Sequence, residues 1–281
     1  MRDLHSDEPF ADEPPETMYK YTSFTRALEI LMNNKIYFAK SSEFNDPFDG
    51  QVTFDIDTPE KRTIFIGNLE RKYGISIPIK EKQEFINNSS GADKLARAIV
   101  NKWQKANSTG YCCLTDTGQS LPMWAHYADN HTGCCLMFDF SKHSNLKSPK
   151  DDFPFYWMKK IEYQKDLPKY NMGGMCDYIH KSSEWEYENE WRAIMCDKNM
   201  SFHPNADFYK ECRGAGLYPL GNFLCGVILG YRIKKSAKQK IKIAARQCGI
   251  SVQQALPKLY EYGICLTEID NKRFNRYNSI G

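Results

Sequence analysis

Apolar positions alternate over short runs and recur every three or four residues over longer ones, and these two periods divide the chain into strands and helices. Residues 18–22 read as a first strand. Ser23 then caps a helix with Phe24, Leu28 and Leu31 on one face, ended by Asn33-Asn34. Residues 36–39 form a second strand, followed by a loop over 41–50 that is rich in turn formers yet holds Phe44 and Phe48. Two phenylalanines in one loop predict that it folds back over something. Residues 58–106 read as a helical block. Thr58-Pro59 opens its first helix, Phe65 and Leu69 face inward, and Gly74 stops it. A second helix spans residues 80–88, and a third spans 92–105 with Leu95, Ile99 and Trp103 at four-residue spacing.

Strand signals resume over 110–115, a short helix spans 120–129, and the turn Asn130-His131-Thr132-Gly133 leads into a buried strand at 134–138. Residues 155–163 alternate as a strand, and 172–187 read as a glycine-rich loop and helix before a strand from Glu190. Residues 223–229 form an apolar strand, and 233–246 an amphipathic helix with Ile233, Ala237, Ile241, Ala244 and Ala245 inward. Residues 262–269 form the last strand. No internal repeat occurs. Strands outnumber core helices and the helices cluster, which predicts an α+β fold. The expectation is one domain over 18–281 with the helical block at 58–106 as an insertion.

Composition sharpens this picture in four places. Residues 1–17 carry six acids and three prolines with few apolar side chains, the composition of a disordered acidic leader and not of a secretory signal. The longest apolar run, 220–231, is interrupted by Gly221, Asn222 and Gly226, too short for a membrane span. The chain has ten cysteines. Cys112-Cys113 and Cys134-Cys135 are adjacent pairs inside strand-like runs and no Cys-x-x-Cys occurs, so they read as reduced small hydrophobes of a cytoplasmic protein. Net charge is only +3, but residues 231–281 hold eleven Lys or Arg against three acids.

Three patches carry candidate chemistry. Residues 44–50 read either as a self-bonded turn through Asn45 and Asp46 or as a lid or wall with Phe44 or Phe48 against a ligand. Residues 123–133 place Trp124 and Tyr127 on one helix face beside His126. This is ordinary packing or a platform for a flat ring such as nicotinamide or adenine. The third patch is Glu184-Trp185-Glu186-Tyr187-Glu188-Asn189-Glu190-Trp191-Arg192. If it is extended, Glu188, Glu190 and Arg192 share one side while Trp191, Ala193 and Met195 take the other. Glu186 reads as surface, Glu190 as the acid with a reason to be on a strand, and Arg192 as its partner.

Taken in order, an initial Tyr-x-Tyr, Asn45-Asp46-Pro47-Phe48-Asp49, Met123-Trp124-Ala125-His126-Tyr127 with Gly133, Glu188-Asn189-Glu190-Trp191-Arg192 and Val227-Ile228-Leu229-Gly230 resemble the bacterial domain-of-unknown-function family 2971 over roughly residues 18–270. More distantly, the order of elements resembles the ADP-ribosyltransferase superfamily. This implies a split mixed or antiparallel sheet, NAD as co-substrate and no metal. By that resemblance Glu190 is the catalytic acid and Glu188 its companion, Lys20 takes an early polar contact to NAD, and Tyr21, Trp124, His126, Tyr127, Arg192 and Phe48 line the NAD site. The departures are the lysine where the superfamily carries His or Arg on its first strand, and the absence of a Ser-Thr-Ser motif at Cys113-Leu114-Thr115.

The chemistry agrees with these residue types. Cleavage of the nicotinamide–ribose bond builds positive charge on the ribose, which a carboxylate on the 2′-hydroxyl stabilises. The expectation is an NAD-consuming ADP-ribosyltransferase-like enzyme, a bacterial toxin or phage-defence effector, whose acceptor is a nucleic acid or a protein and which involves no membrane. The alternatives are a metal-dependent nuclease or phosphoesterase using Asp46, Asp49, Glu188 and Glu190, and a non-enzymatic module that binds a ligand or partner.

Overall fold

A computed structural model describes residues 12–92, 94–96, 98, 109–141, 155, 157–170, 179–195 and 214–269. In chain order the elements are β1 (Thr17–Thr22), α1 (Phe24–Asn33), β2 (Lys35–Phe38), β3 (Thr53–Phe54), α2 (Pro59–Tyr73), α3 (Ile79–Asn87), β4 (Gly110–Thr115), α4 (Leu121–Tyr127) and β5 (Cys134–Asp139). There follow β6 (Met158–Lys160), β7 (Glu162–Gln164), β8 (Lys169–Tyr170), β9 (His180–Ser182), β10 (Glu190–Met195), β11 (Gly216–Pro219), β12 (Leu224–Leu229), α5 (Lys235–Cys248), β13 (Ser251–Pro257) and β14 (Ile264–Glu268). The fold is α+β with a mostly antiparallel sheet. The chain divides into two compact units, one within Met1–Phe38, Gly110–Lys160 and Tyr187–Gly281 and the other within Ala39–Thr109 and Ile161–Glu186.

The first unit is built on an eight-stranded sheet in the order β14-β13-β12-β5-β1-β4-β10-β6. All neighbours are antiparallel except β12 and β13, which run parallel and are joined by α5. One sheet face carries Tyr19, Tyr21, Cys135 and Ile228, over which α4 lays Met123 and Trp124. On β13, Ala255 belongs to that same face, and alternation puts Gln254 on the other, where it receives Lys238 of α5 at 2.7 Å. The helices α1 and α5 therefore cover the second face, packed on each other. That face also holds an aromatic cluster: Phe155 lies 5.1–5.7 Å from the rings of Phe138, Phe140 and Phe223, and Phe38 meets Tyr218 edge-on at 5.1 Å.

The second unit packs α2 and α3 around Phe65, Ile66, Leu69 and Phe85, with the Phe65 and Phe85 rings stacked at 5.7 Å. Its guanidinium Arg62 is buried but donates to the carbonyls of Ile86 and Ile56 at 2.7 and 2.9 Å, so its charge is not stranded. Two short strand pairs, β3 with β8 and β7 with β9, complete it.

Several local expectations shift. The cap of α1 is Ser23, as its sequence predicts, but the helix buries Ala27, Ile30 and Leu31, a face rotated from the Phe24–Leu28 line. After α3 the buried positions are Ala92 and Ala96 while Leu95 is exposed, because close helix packing favours the small side chains. Ile99 and Trp103 lie outside the described residues. The strand over 155–163 divides into β6 and β7. Over 172–187, residues 171–178 lie outside the described residues and the remainder forms β9 and a 3-10 turn, Ser183–Glu188, in place of a helix. Of the leader at 1–17, residues 1–11 lie outside the described residues. Asp12 is tied to β6, its N–H donating to Met158 O at 2.8 Å and its carboxylate accepting from Lys160 N at 2.9 Å. The strand β13 escapes the hydrophobic pattern because Gln253 and Gln254 interrupt it. Gln254 is nonetheless buried, its amide donating to the carbonyls of Leu229 and Gly230.

The turn after α4 is the tightest joint of the first unit. Asp129, Asn130 and His131 take φ of 47°, 52° and 67° in succession, a left-handed path that Asn and Asp tolerate best. Gly133 follows because a Cβ there would collide with the Thr22 carbonyl oxygen, and Gly230 because one would collide with the His131 carbonyl oxygen. The His131 ring lies flat against Trp124, 6.3 Å between centroids. Burial, and after it the Arg232 guanidinium, hold the His131 pKa below its ordinary 6.5. As pH falls through 6.5 the unfolded chain takes up a proton that the folded one refuses, so stability is complete above that window and declines within it. Urea titrations from neutral pH downward are expected to show this decline, and His131→Gln is expected to flatten it. An unchanged pH dependence in His131→Gln assigns the decline elsewhere.

Candidate active site

The strand β10 enters the sheet through a conformational break. The 3-10 turn ends at Glu188, Asn189 takes φ of 43°, and extended backbone begins only at Glu190. A left-handed residue between the two acids cancels the alternation that would have aligned them, so Glu188 does not lie on the strand face with Glu190 and Arg192. That corrects the shared-face expectation for Glu188 and leaves it intact for the other two.

Glu190 pairs in register with Thr115 of β4, and Arg192 with Cys113. Directly opposed residues share a face, so Glu190, Arg192, Thr115, Cys113 and Tyr19, which also opposes Thr115, belong to the α4-covered side of the sheet. Arg192 Nε donates to Glu190 Oε1 at 2.6 Å, with the two side chains 0% and 4% exposed. Glu190 is also hydrogen-bonded by the Cys113 thiol. Burial first, then the Glu190 charge, push the Cys113 pKa well above a thiol's ordinary value, and burial moves Cys134 to about 12 and Cys225 to about 11. These cysteines are therefore protonated donors or packing groups, not nucleophiles. Beside the pair, the Thr115 hydroxyl is buried without a hydrogen-bond partner.

The second acid has a separate support. Ser120 caps α4 by accepting from Met123 N, and the helix delivers Tyr127, whose hydroxyl donates to Glu188 Oε1 at 2.6 Å. Glu188 is 3% exposed. His126 stands 6.4 Å from the Tyr127 ring and 6.2 Å from Tyr187. The same helix turns Trp124 fully inward, its indole N–H donating to Gly118 O at 3.0 Å, edge-on to Tyr21 at 5.1 Å. The Tyr21 hydroxyl donates to Thr117 O and accepts from Ser120 N. Trp124 and Tyr21 are thus core residues that hold the β4–α4 connection, and the ring platform expected of Trp124 and Tyr127 is divided between core and site.

Lys20 points from β1 to the opposite face, yet its ammonium reaches Cys113 O at 2.9 Å. The strands β1 and β4 are paired only at Tyr19 with Thr115, and beyond it they diverge. Lys20 thereby supplies a donor where the next rung of the ladder would lie. Its burial opposes the charge, but neighbouring groups, the Glu190 carboxylate among them, outweigh that and raise its pKa.

Phe48 belongs to the second unit and is 62% exposed, with its N–H donating to Asp46 Oδ1 at 2.9 Å in a self-bonded turn. Among the residues named from sequence, the first unit thus brings together Lys20, Glu190 and Arg192 as one group, and His126, Tyr127 and Glu188 as another. Cys113, Thr115 and Tyr187 join them without having been named as site residues. Cys113 and Thr115 stand where the resemblance would place a Ser-Thr-Ser motif, but what sets them beside Glu190 is strand register, which one sequence does not display. Among the described residues no three His, Cys, Asp or Glu side chains group as a metal site, and no helix is long and apolar enough to cross a membrane.

A family model described as a protein of unknown function (DUF2971) matches residues 123–193, the segment from α4 into β10 that carries Tyr127, Glu188, Glu190 and Arg192. No curated protein and no solved structure matches the chain.

A buried ion pair is held by its own reciprocity, since the loss of one partner strands the other charge out of water. Arg192→Met is expected to lower stability by about 3–5 kcal/mol in denaturant titration. The double variant Glu190→Gln/Arg192→Met is expected to recover part of that loss. Additive effects in the cycle would show that the two groups are not coupled.

Proposed function

We propose that the chain is an NAD-consuming ADP-ribosyltransferase-like enzyme with Glu190 as its catalytic carboxylate. The observation that carries this reading is the arrangement of two buried acids two residues apart in unlike settings. Glu190 is fixed on the sheet by Arg192 and Cys113, and Glu188 is fixed on the preceding turn by Tyr127. Carboxylates placed in different environments are suited to different tasks. The guanidinium of Arg192 favours the ionised form of Glu190. An ionised carboxylate out of water stabilises a cationic ribose far more strongly than one in solvent. Glu188, hydrogen-bonded to a phenol, is suited to orient or deprotonate the acceptor's nucleophile.

One further feature supports the reading. The Thr115 hydroxyl, opposite Glu190 and unpartnered, fits a ligand hydroxyl beside that acid. NAD acts here as a substrate: the glycosidic bond to nicotinamide breaks, nicotinamide leaves with the bonding electrons, and the acceptor's lone pair forms the new bond to the ribose carbon while it gives up a proton. Consumption of NAD on this pattern suits a toxin or phage-defence effector.

The test is nicotinamide release from NAD by purified protein, with and without chelator. Glu190→Gln is expected to lower it by about 10²–10³-fold, and chelator to leave it unchanged. Glu188→Gln is expected to retain slow NAD hydrolysis while losing transfer. Full activity in a folded Glu190→Gln protein removes that residue from the chemistry, and phosphoester cleavage that chelator abolishes, with no NAD turnover, favours a metal-dependent nuclease or phosphoesterase.

A further inference from the structure

The strongest unassigned feature lies on the other face of the sheet. Between Glu211 and Glu261 the chain contains no aspartate or glutamate, but nine arginines and lysines. Seven of the nine fall within residues 232–246, on α5 and the turn that enters it. Arg232, Lys234, Lys235, Lys240 and Arg246 are exposed, and Lys238 and Lys242 are half-buried. Where the partner is identified it is neutral: Lys238 Nζ meets the Gln254 amide oxygen at 2.7 Å.

Arg246 in the last turn suits the helix dipole, but the charges at the helix start do not. The cap of α5 is Lys234 with no side-chain bond to the first turn, and that turn contains no acid. Cations there oppose the partial positive charge of the helix start. Nor does the pattern suit a lipid surface. Ile241, Ala244 and Ala245 are already buried, and among the large apolar side chains of α5 only Ile243 is exposed. A helix that lies in a membrane interface needs a free apolar face, and α5 has used its own against the sheet.

The spacing instead matches a charged polymer. Arg232, Lys234, Lys235 and Lys240 put four exposed cations within nine residues of chain, a density suited to successive phosphates about 3.4 Å apart along one strand. We infer that α5 and the turn before it form a docking surface for the phosphate backbone of a nucleic acid. Because α5 covers the face opposite Glu190, this surface holds a partner and takes no part in the chemistry, and binding to it requires neither NAD nor the carboxylates.

The test is fluorescence anisotropy with a short DNA duplex and a short single strand, without NAD, across a salt series. Wild type is expected to bind, more weakly as salt rises. The variant Lys234→Gln/Lys235→Gln/Lys240→Gln changes exposed side chains and is expected to bind at least tenfold more weakly. Its slope of log affinity against log salt is expected to fall by about 0.9 for each phosphate that the variant no longer neutralises. Equal binding by the triple variant overturns the proposal. So does a wild type that binds anionic lipid vesicles and not nucleic acid, or that binds neither. Because the assay omits NAD, its outcome is independent of whether NAD is consumed.

Discussion

A carboxylate and a guanidinium lie side by side out of water where β10 begins, and the surrounding structure is what makes that tolerable. An isolated buried charge costs several kcal/mol even after relaxation, so neither Glu190 nor Arg192 could occupy its place without the other. Their pairing needs an extended backbone, which puts positions two apart on one face, and a start to the strand that leaves Glu190 inside it. Asn189 supplies that start by turning the chain through a left-handed conformation. Cys113 comes from the adjacent strand to bond the acid, and Arg192 is fixed opposite it by the β4–β10 register.

The same strand β4 is pulled in two directions. On one side it follows β10 over six residue pairs, and on the other it meets β1 at one. A diverging pair of central strands leaves backbone groups without a rung, which is costly unless something else reaches them. Lys20 reaches one of them, and it can do so because a lysine stem is long enough to carry its charge around the strand edge. The acid pair and the divergence thus occupy adjacent positions on β4, and the unpartnered Thr115 hydroxyl lies at the point where they meet.

Much of this was legible beforehand. The strand–helix pattern gave the α+β class, the Ser23 and Thr58 caps, and the sharing of a face by Glu190 and Arg192, since those depend on local spacing and side-chain chemistry. What was not legible depends on partners distant in the chain. Gln254 reads as a polar interruption until the carbonyls of Leu229 and Gly230 supply its hydrogen bonds. Trp124 and Tyr127 read as ordinary packing or as one platform, because periodicity places them on the same side of α4 but does not say which of the two the sheet absorbs. Glu188 was misplaced by a single left-handed residue, a feature that an asparagine permits but does not announce.

The position of β1 has a consequence for how the chain reaches this state. The first strand of the sequence lies in the interior of the sheet, between β5 and β4, and β4 is completed by β10. Residues 17–22 therefore cannot be enclosed on both sides until residues 110–115 and 134–139 exist, and the buried charges of β10 are not covered until residue 195 has been made. Contacts so distant in sequence are slow to form. Until those residues have been made, β1 has no partner at either edge, and an unpaired strand edge is a template for wrong pairing.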